Sequence, residues 1–236
     1  MLNIGQSAGK TKALHYIIGV YLGDGCASYS PQSRSYTFIL NTIDKDFAEA
    51  TMDSLETLLE KKPRMYEIKK EPPRKLVYRV EINSKDLYEY LKKETLNKLI
   101  IPDFIKENQD KKLVREFVAG LMDSEGWFSR TVTRSGFTVY QMGIAGAEAF
   151  VTELPEYFKA HGLECGKICK MKVKPGHKPM LRILINKISW INEGFYFKIQ
   201  RKQNKCNEFA QNLTPKWSKK LLNPQRLHVE PQSGKI

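Results

Sequence analysis

Two stretches of the chain carry one pattern: Ile17-Ile18-Gly19-Val20-Tyr21-Leu22-Gly23-Asp24-Gly25 and Val118-Ala119-Gly120-Leu121-Met122-Asp123-Ser124-Glu125-Gly126. Each is an apolar run with small residues four apart, followed by a carboxylate and a glycine. Positions i and i+4 share a helix face, so Gly19 with Gly23 and Gly120 with Ser124 form flat stripes on which two helices can pack backbone to backbone. Such packing sets the helix ends side by side and carries Asp24 and Glu125 to the bottom of the contact. Gly25 and Gly126 then fall where a helix end favours a left-handed residue. Two carboxylates beside two negative helix ends repel unless a cation joins them. An all-oxygen donor set with room for water suits Mg²⁺ or Mn²⁺ better than zinc. The candidate metal site is therefore Asp24 and Glu125, with Gly23 and Ser124 beside them.

The material between the motifs repeats as well. Arg79-Val80-Glu81-Ile82-Asn83 matches Arg182-Ile183-Leu184-Ile185-Asn186, and Arg64 to Lys69 matches Lys167 to Lys172. Each half reads as α-β-β-α-β-β-α. In the first half this gives a helix from near Thr11, strands over Cys26–Ser30 and Ser35–Ile43, a helix from Asp44 to about Glu60, and a hairpin of Arg64–Lys70 with Lys75–Asn83 around Pro72-Pro73. A helix capped by Ser84 closes it. The second half follows with a helix over Lys111–Gly126, strands over Trp127–Thr133 and Phe137–Ile144, and a helix over Ala147–His161. Strands over Lys167–Lys174 and Met180–Asn186 and a helix from Lys187 complete it. The domain reading is 1–98 and 111–200 for the halves, 99–110 for the linker, and 201–236 for a basic extension carrying eight Lys or Arg against two Glu. The fold class is α+β, with two four-stranded antiparallel sheets, each covered by helices on one face.

The uncovered faces suit a polyanion. Lys and Arg outnumber Asp and Glu by 39 to 26, a formal net charge of +13, which favours nucleic acid or an acidic membrane surface. No signal-peptide pattern or long apolar span is present, so a soluble intracellular protein without membrane contact is expected. Cys165 and Cys169 lack a matching pair for zinc, and the thiols read as buried. His15, His161, His177 and His228 read as surface or boundary residues with no nucleophile partner. Alternation along the strands places Arg79, Glu81 and Asn83 opposite the core-facing Tyr78, Val80 and Ile82, and Lys170, Lys172 and Lys174 opposite Cys169 and Met171. The same alternation places Arg182 and Asn186 opposite Ile183 and Ile185. With Ser28, Ser35, Thr37, Asn41, Glu67, Lys69, Lys75, Arg130 and Gln141 these form the candidate DNA-contact set, able to read base edges and hold phosphates. A strand of about eight residues covers about 27 Å, or about eight base pairs. The two halves together match an asymmetric duplex of about 16 base pairs. Trp127, Phe128 and Trp217 read as core residues.

At the paired motifs the chain resembles the LAGLIDADG homing endonuclease family in its single-chain, two-motif form. The resemblance covers most of residues 13–200 and implies a DNA-binding saddle with the catalytic metal-binding acids at Asp24 and Glu125. The motif's sixth position, acidic in the family, is Leu22 in one copy and Asp123 in the other, which leaves Asp123 as a substitute ligand. It also implies a monomer that hydrolyses both strands of double-stranded DNA with divalent metal, leaving a staggered break. Family members often add a basic or amide residue that positions water; Asn41, Thr42 and Gln141 are the candidates, since no lysine follows either motif at an evident place. An intron-RNA maturase, with intron RNA as partner, and a catalytically inactive DNA-binding regulator share the scaffold. Retention of both acids favours the nuclease.

Overall fold

The computed structural model describes residues 7–69, 71, 75–171 and 179–213. The first half comprises α1 (Ala8–Leu22), β1 (Cys26–Ser30), β2 (Ser35–Thr42), α2 (Lys45–Leu59), β3 (Arg64–Ile68), β4 (Val77–Asn83) and α3 (Lys85–Glu94). After a short α4 (Asp103–Lys106), the second half comprises α5 (Lys111–Ser124), β5 (Gly126–Val132), β6 (Thr138–Ala147), α6 (Glu148–Val151), α7 (Leu154–Ala160), β7 (Cys169–Lys170), β8 (Met180–Leu184) and α8 (Lys187–Asn192). A last helix, α9, spans Gln200–Gln211. The sheets run β1-β2-β4-β3 and β5-β6-β8-β7, all pairs antiparallel. The twofold repetition of α+β halves is therefore as the sequence implied.

Local chemistry starts the helices where expected. The side chains of Ser7, Ser84, Asp110 and Asn186 accept hydrogen bonds from the backbone N–H of Lys10, Leu87, Lys112 and Ile188, satisfying first-turn donors that have no partner within the helix. The α1 helix is apolar on every side from Ala13 to Leu22 and buried throughout that run, because it lies between α2 and α5.

The small-residue stripes set how closely α1 and α5 approach. A Cβ on Gly19 would stand 2.3 Å from the Phe117 carbonyl oxygen, and one on Gly120 would stand 2.2 Å from that of Tyr16. Only a residue without a side chain fits at either place. Gly25 and Gly126 are glycines for the same reason, not for the left-handed conformation expected of them. Neither has a positive φ, whereas a Cβ on Gly126 would lie 2.5 Å from the Met122 oxygen and one on Gly25 2.9 Å from the Tyr21 Cα.

Several expectations need correction. The helix expected over Ala147–His161 is two, α6 and α7, because Pro155 in the first turn of α7 cannot donate a hydrogen bond to residue 151 and cannot continue α6. The segment expected as a plain connection at 99–110 contains α4, anchored by buried Ile105 and by Ile101 N–H donating to Glu153 Oε2 at 3.1 Å. The expected extension begins as α9, which packs against β5; residues 214–236, with Trp217 and His228, lie outside the described residues. So do Pro72-Pro73, Lys172, Lys174 and His177. His15 is a core residue, 2 % exposed, its Nδ1 donating to Thr11 O and its Nε2 accepting from Asn108 Nδ2. Of the four thiols only Cys206 is buried; Cys26 and Cys169 are exposed.

Candidate active site and nucleic-acid face

Close approach of α1 and α5 brings their C-terminal ends together, with Asp24 and Glu125 next after them. A Cβ on Gly23 would fall 2.1 Å from Ser124 Oγ and 2.9 Å from Glu125 Cγ, so the glycine is what admits the opposite motif at this point. The electrostatics are those of a crowded acidic pair. Burial, then the Asp24 charge, pushes Glu125 up to about 7, and burial also raises Asp24 despite nearby Lys202 and Lys98. Above neutral pH the pair carries negative charge that a divalent cation would neutralise. Among the described residues no cluster of three or more His, Cys, Asp or Glu is placed to hold a metal, so a cation here would depend on two carboxylates together with oxygens from outside the protein. That donor set fits Mg²⁺ or Mn²⁺, which retain water and take substrate phosphate as ligands.

Two lysines complete the site. Lys98 Nζ donates to the Gly23 carbonyl at 2.7 Å, at the end of α1. Lys202 Nζ donates to the carbonyls of Met122 and Asp123 at 2.8 and 2.7 Å, at the end of α5. Each cation neutralises a negative helix terminus. Burial lowers both, Lys202 to about 8. Lys98 follows α3 and Lys202 follows α8, the last helix of each half's repeat, so the two are counterparts, although neither is close in sequence to the motif it serves. A cleft of about 530 Å³ opens beside Asp24, lined by Asn41, Thr42, Asp44, Ser124, Arg201 and Lys202 among others.

The neighbouring motif positions have other duties. Ser124 Oγ donates back to the Gly120 and Leu121 carbonyls, and the Gly23 carbonyl is held by Lys98. Asp123 is 2 % exposed and accepts hydrogen bonds from Tyr16 Oη and from the backbone N–H of Lys198 and Ile199. It is not free to substitute as a metal ligand. Of the water-positioning candidates, Asn41 and Thr42 line the cleft, whereas Gln141 lies out on the second sheet.

Registers decide the outer faces, because residues directly opposite in an antiparallel pair share a face. In the first sheet Ser28, Ser35, Thr37, Asn41, Arg79, Glu81 and Asn83 all turn away from the helices, as expected. Arg64 and Tyr66 join them through pairing with Glu81 and Arg79. Glu81 binds this group together: Arg64 at 3.0 Å, Arg79 at 3.1 Å and the Tyr66 hydroxyl at 3.4 Å. Glu67 pairs with Tyr78 instead and turns to the helix side; Lys69 and Lys75 are exposed just beyond the strands.

The second sheet differs more. Gln141 and Arg182 lie on its outer face, with Ser129, Val139 and Leu184. Arg130 pairs with Tyr140 on the helix side, where both bind Glu208 of α9 at 3.1 and 2.9 Å. Lys170 pairs with core-facing Leu181, so Cys169, not Lys170, shares the face of Arg182. Asn186 is the α8 cap and also donates to Glu164 Oε2. Phe128 is core, but Trp127 lies on the outer face across Gly143.

Paired halves, two helices meeting on glycine and an acid from each at the seam are the features in which this chain is similar to LAGLIDADG-like proteins. Residues 11–94 match the family model described as a LAGLIDADG-like domain, so the chain carries that domain and the resemblance of its motifs holds. A solved mesophilic variant of the homing endonuclease I-DmoI is similar over 78 % of this chain and 94 % of its own, with 18 % identity and a TM-score of 0.53. I-WcaI bound to its DNA recognition sequence is similar over 92 % of this chain and 88 % of its own, with 16 % identity and a TM-score of 0.52. The LAGLIDADG meganuclease I-AabMI, bound to uncleaved DNA, gives 13 % identity and 0.50 over 88 % and 96 %. I-DmoI has also been solved with DNA and Ca, at 16 % identity and a TM-score of 0.51 over 75 % and 84 %. At these identities the likeness is one of fold. In sequence, the uncharacterized protein MJ0398 of Methanocaldococcus jannaschii is 34 % identical over 116 residues, or 48 % of this chain and 38 % of that one. The match thus spans well under half the length of that relative.

Proposed function

We propose that this chain is a site-specific endonuclease that binds a long asymmetric DNA duplex and hydrolyses both strands. The observation that carries this reading is the seam itself: Asp24 and Glu125 at adjoining helix ends, each end fitted with a buried or half-buried lysine. Phosphodiester hydrolysis needs an activated water, neutralised phosphate charge and a stabilised leaving oxygen, and a bound divalent cation supplies these. Asp24 and Glu125 would hold it with phosphate oxygens and water. Lys98 and Lys202, one per half, add positive charge where the transition state gains negative charge. The Arg64–Arg79–Glu81 group and Arg182 would contact the duplex on either side of the seam. The complexes of I-DmoI, I-WcaI and I-AabMI with DNA support the reading, since their fold is shared. Because the seam is internal to one chain, the active species would be a monomer.

The test is cleavage of a randomised duplex library in Mg²⁺, with EDTA and Asp24→Asn protein in parallel, followed by sequencing of cut ends. One long asymmetric site with staggered ends, absent in both controls, is the expected result. Enrichment of bound duplex without cutting would refute the nuclease and leave a binding protein.

A further inference from the structure

Asp123 occupies the motif position that is Leu22 in the first half, and hydrolysis at the seam makes no use of it. Both residues are buried at 2 % exposure, yet only Asp123 needs polar partners, and two of its three lie at the start of α9. Its Oδ2 accepts from Lys198 N–H at 3.1 Å and its Oδ1 from Ile199 N–H at 3.3 Å. These are the two amides just before α9, whose own N-cap, Ile199, offers no side-chain acceptor. Tyr16 Oη, from α1, donates to Oδ2 at 3.1 Å.

Lys202 lies in the first turn of α9. At about 1.5 Å rise per residue, whatever fixes Ile199 fixes the base of the Lys202 side chain. That side chain returns to donate to the carbonyls of Met122 and of Asp123 itself. The grip is thus reciprocal, carboxylate to helix start and helix lysine to backbone. Acids of the first half hold the same turn: Asp44 makes a two-pronged contact with Arg201, and Asp46 Oδ2 accepts from Gln200 N–H. The first half places its lysine by other means. Lys98 follows Leu96 and Asn97 in three consecutive left-handed residues, with φ of 44, 58 and 71°, and its N–H is held by Thr95 Oγ1 at 3.0 Å. No carboxylate takes part in those contacts.

We infer that Asp123 is a positioning residue for Lys202: it docks the start of α9 so that this lysine reaches the seam, whereas Lys98 reaches it without Asp123. The inference rests on the nuclease reading for its consequence, which is unequal dependence of the two strand cuts on Asp123. A misplacement of about 1 Å at a reacting site can cost about 100-fold, and here the loss falls on one strand.

The experiment uses a supercoiled plasmid carrying the selected site, with wild type, Asp123→Asn, Lys202→Met, Lys98→Met and Tyr16→Phe compared in Mg²⁺. Asp123→Asn keeps the shape but turns its NH2 donor toward one of the two backbone N–H donors, which loses its acceptor. It is expected to accumulate nicked circles, cut in the strand that Lys202→Met also leaves as the cut one, with the other cut slowed about 100-fold. Lys98→Met should nick the opposite strand. Tyr16→Phe retains both amide contacts and should still linearise the plasmid. Equal loss of both cuts in Asp123→Asn, or unchanged cutting, would overturn the inference. Hydrogen exchange on the same proteins decides the case even if wild type cuts nothing, an outcome that refutes the nuclease reading alone. The amides of residues 198–202 should exchange at least tenfold faster in Asp123→Asn, and unchanged exchange there would overturn the docking role.

Discussion

Replacing Gly120 by alanine sets two physical effects against each other. Intrinsic helix propensity favours alanine over glycine by about 1 kcal/mol in a helix interior. Packing opposes it: the new methyl would lie 2.2 Å from the Tyr16 carbonyl oxygen, 3.0 Å from its carbon and 3.1 Å from Val20 N. All three are backbone atoms of α1 and cannot rotate aside, so α1 and α5 must part by about 1 Å to reach ordinary contact. A gap of that size forfeits a quarter to a half of the dispersion energy along the seam, and overpacking of this kind costs about 1–3 kcal/mol or more. Because only rigid backbone is met, the packing cost takes the upper end of that range, about 3 kcal/mol, and a net loss of about 2 kcal/mol remains by urea unfolding. Gly9→Ala is the control. It lies in α1 with its nearest neighbours at 3.8 Å and beyond, so it should gain up to about 1 kcal/mol. If Gly120→Ala proves as stable as wild type, the backbone-to-backbone seam is not what holds the halves together.

Glu125 gives a signed dependence on pH. Its folded-state value is raised from 4.5 to about 7, so between those values the folded protein keeps a proton that the unfolded chain releases, and stability should fall as pH rises across the window, by about 3 kcal/mol in all. Urea unfolding in EDTA at pH 5 and pH 8 measures this; Glu125→Gln should flatten the profile, and Mg²⁺ should restore stability at pH 8 more than at pH 5. Lys202, lowered to about 8, should lose its charge above that pH, so the faster-falling strand cut in alkali should be the one lost in Lys202→Met, read from single-strand rates on labelled duplex. Glu81→Gln would release Arg64 and Arg79 from their shared carboxylate. DNA binding should then steepen in its salt dependence by up to about one unit of log–log slope per freed cation that reaches phosphate, with little change in stability for these part-exposed pairs.

The sequence by itself determined the doubling of the fold, the seam and the two acids. Those features are local: small residues at i and i+4 followed by a carboxylate specify a helix face and what stands at its end, whatever the rest of the chain does. Strand alternation was equally legible where core residues fixed its phase, as for Arg79 and Glu81 beside Val80 and Ile82. The alternation failed at the edge strands β3, β5 and β7. Period two says that neighbours face opposite ways but not which set faces the core, and for Glu67, Arg130 and Lys170 that was settled by pairing with Tyr78, Tyr140 and Leu181. Only tertiary structure could place Lys98 and Lys202. They reach the helix ends from far along the chain, through a left-handed turn in one half and a helix docked on Asp123 in the other. A basic residue in sequence is one among 39; what singles these out is burial against carbonyls that local pattern does not encode.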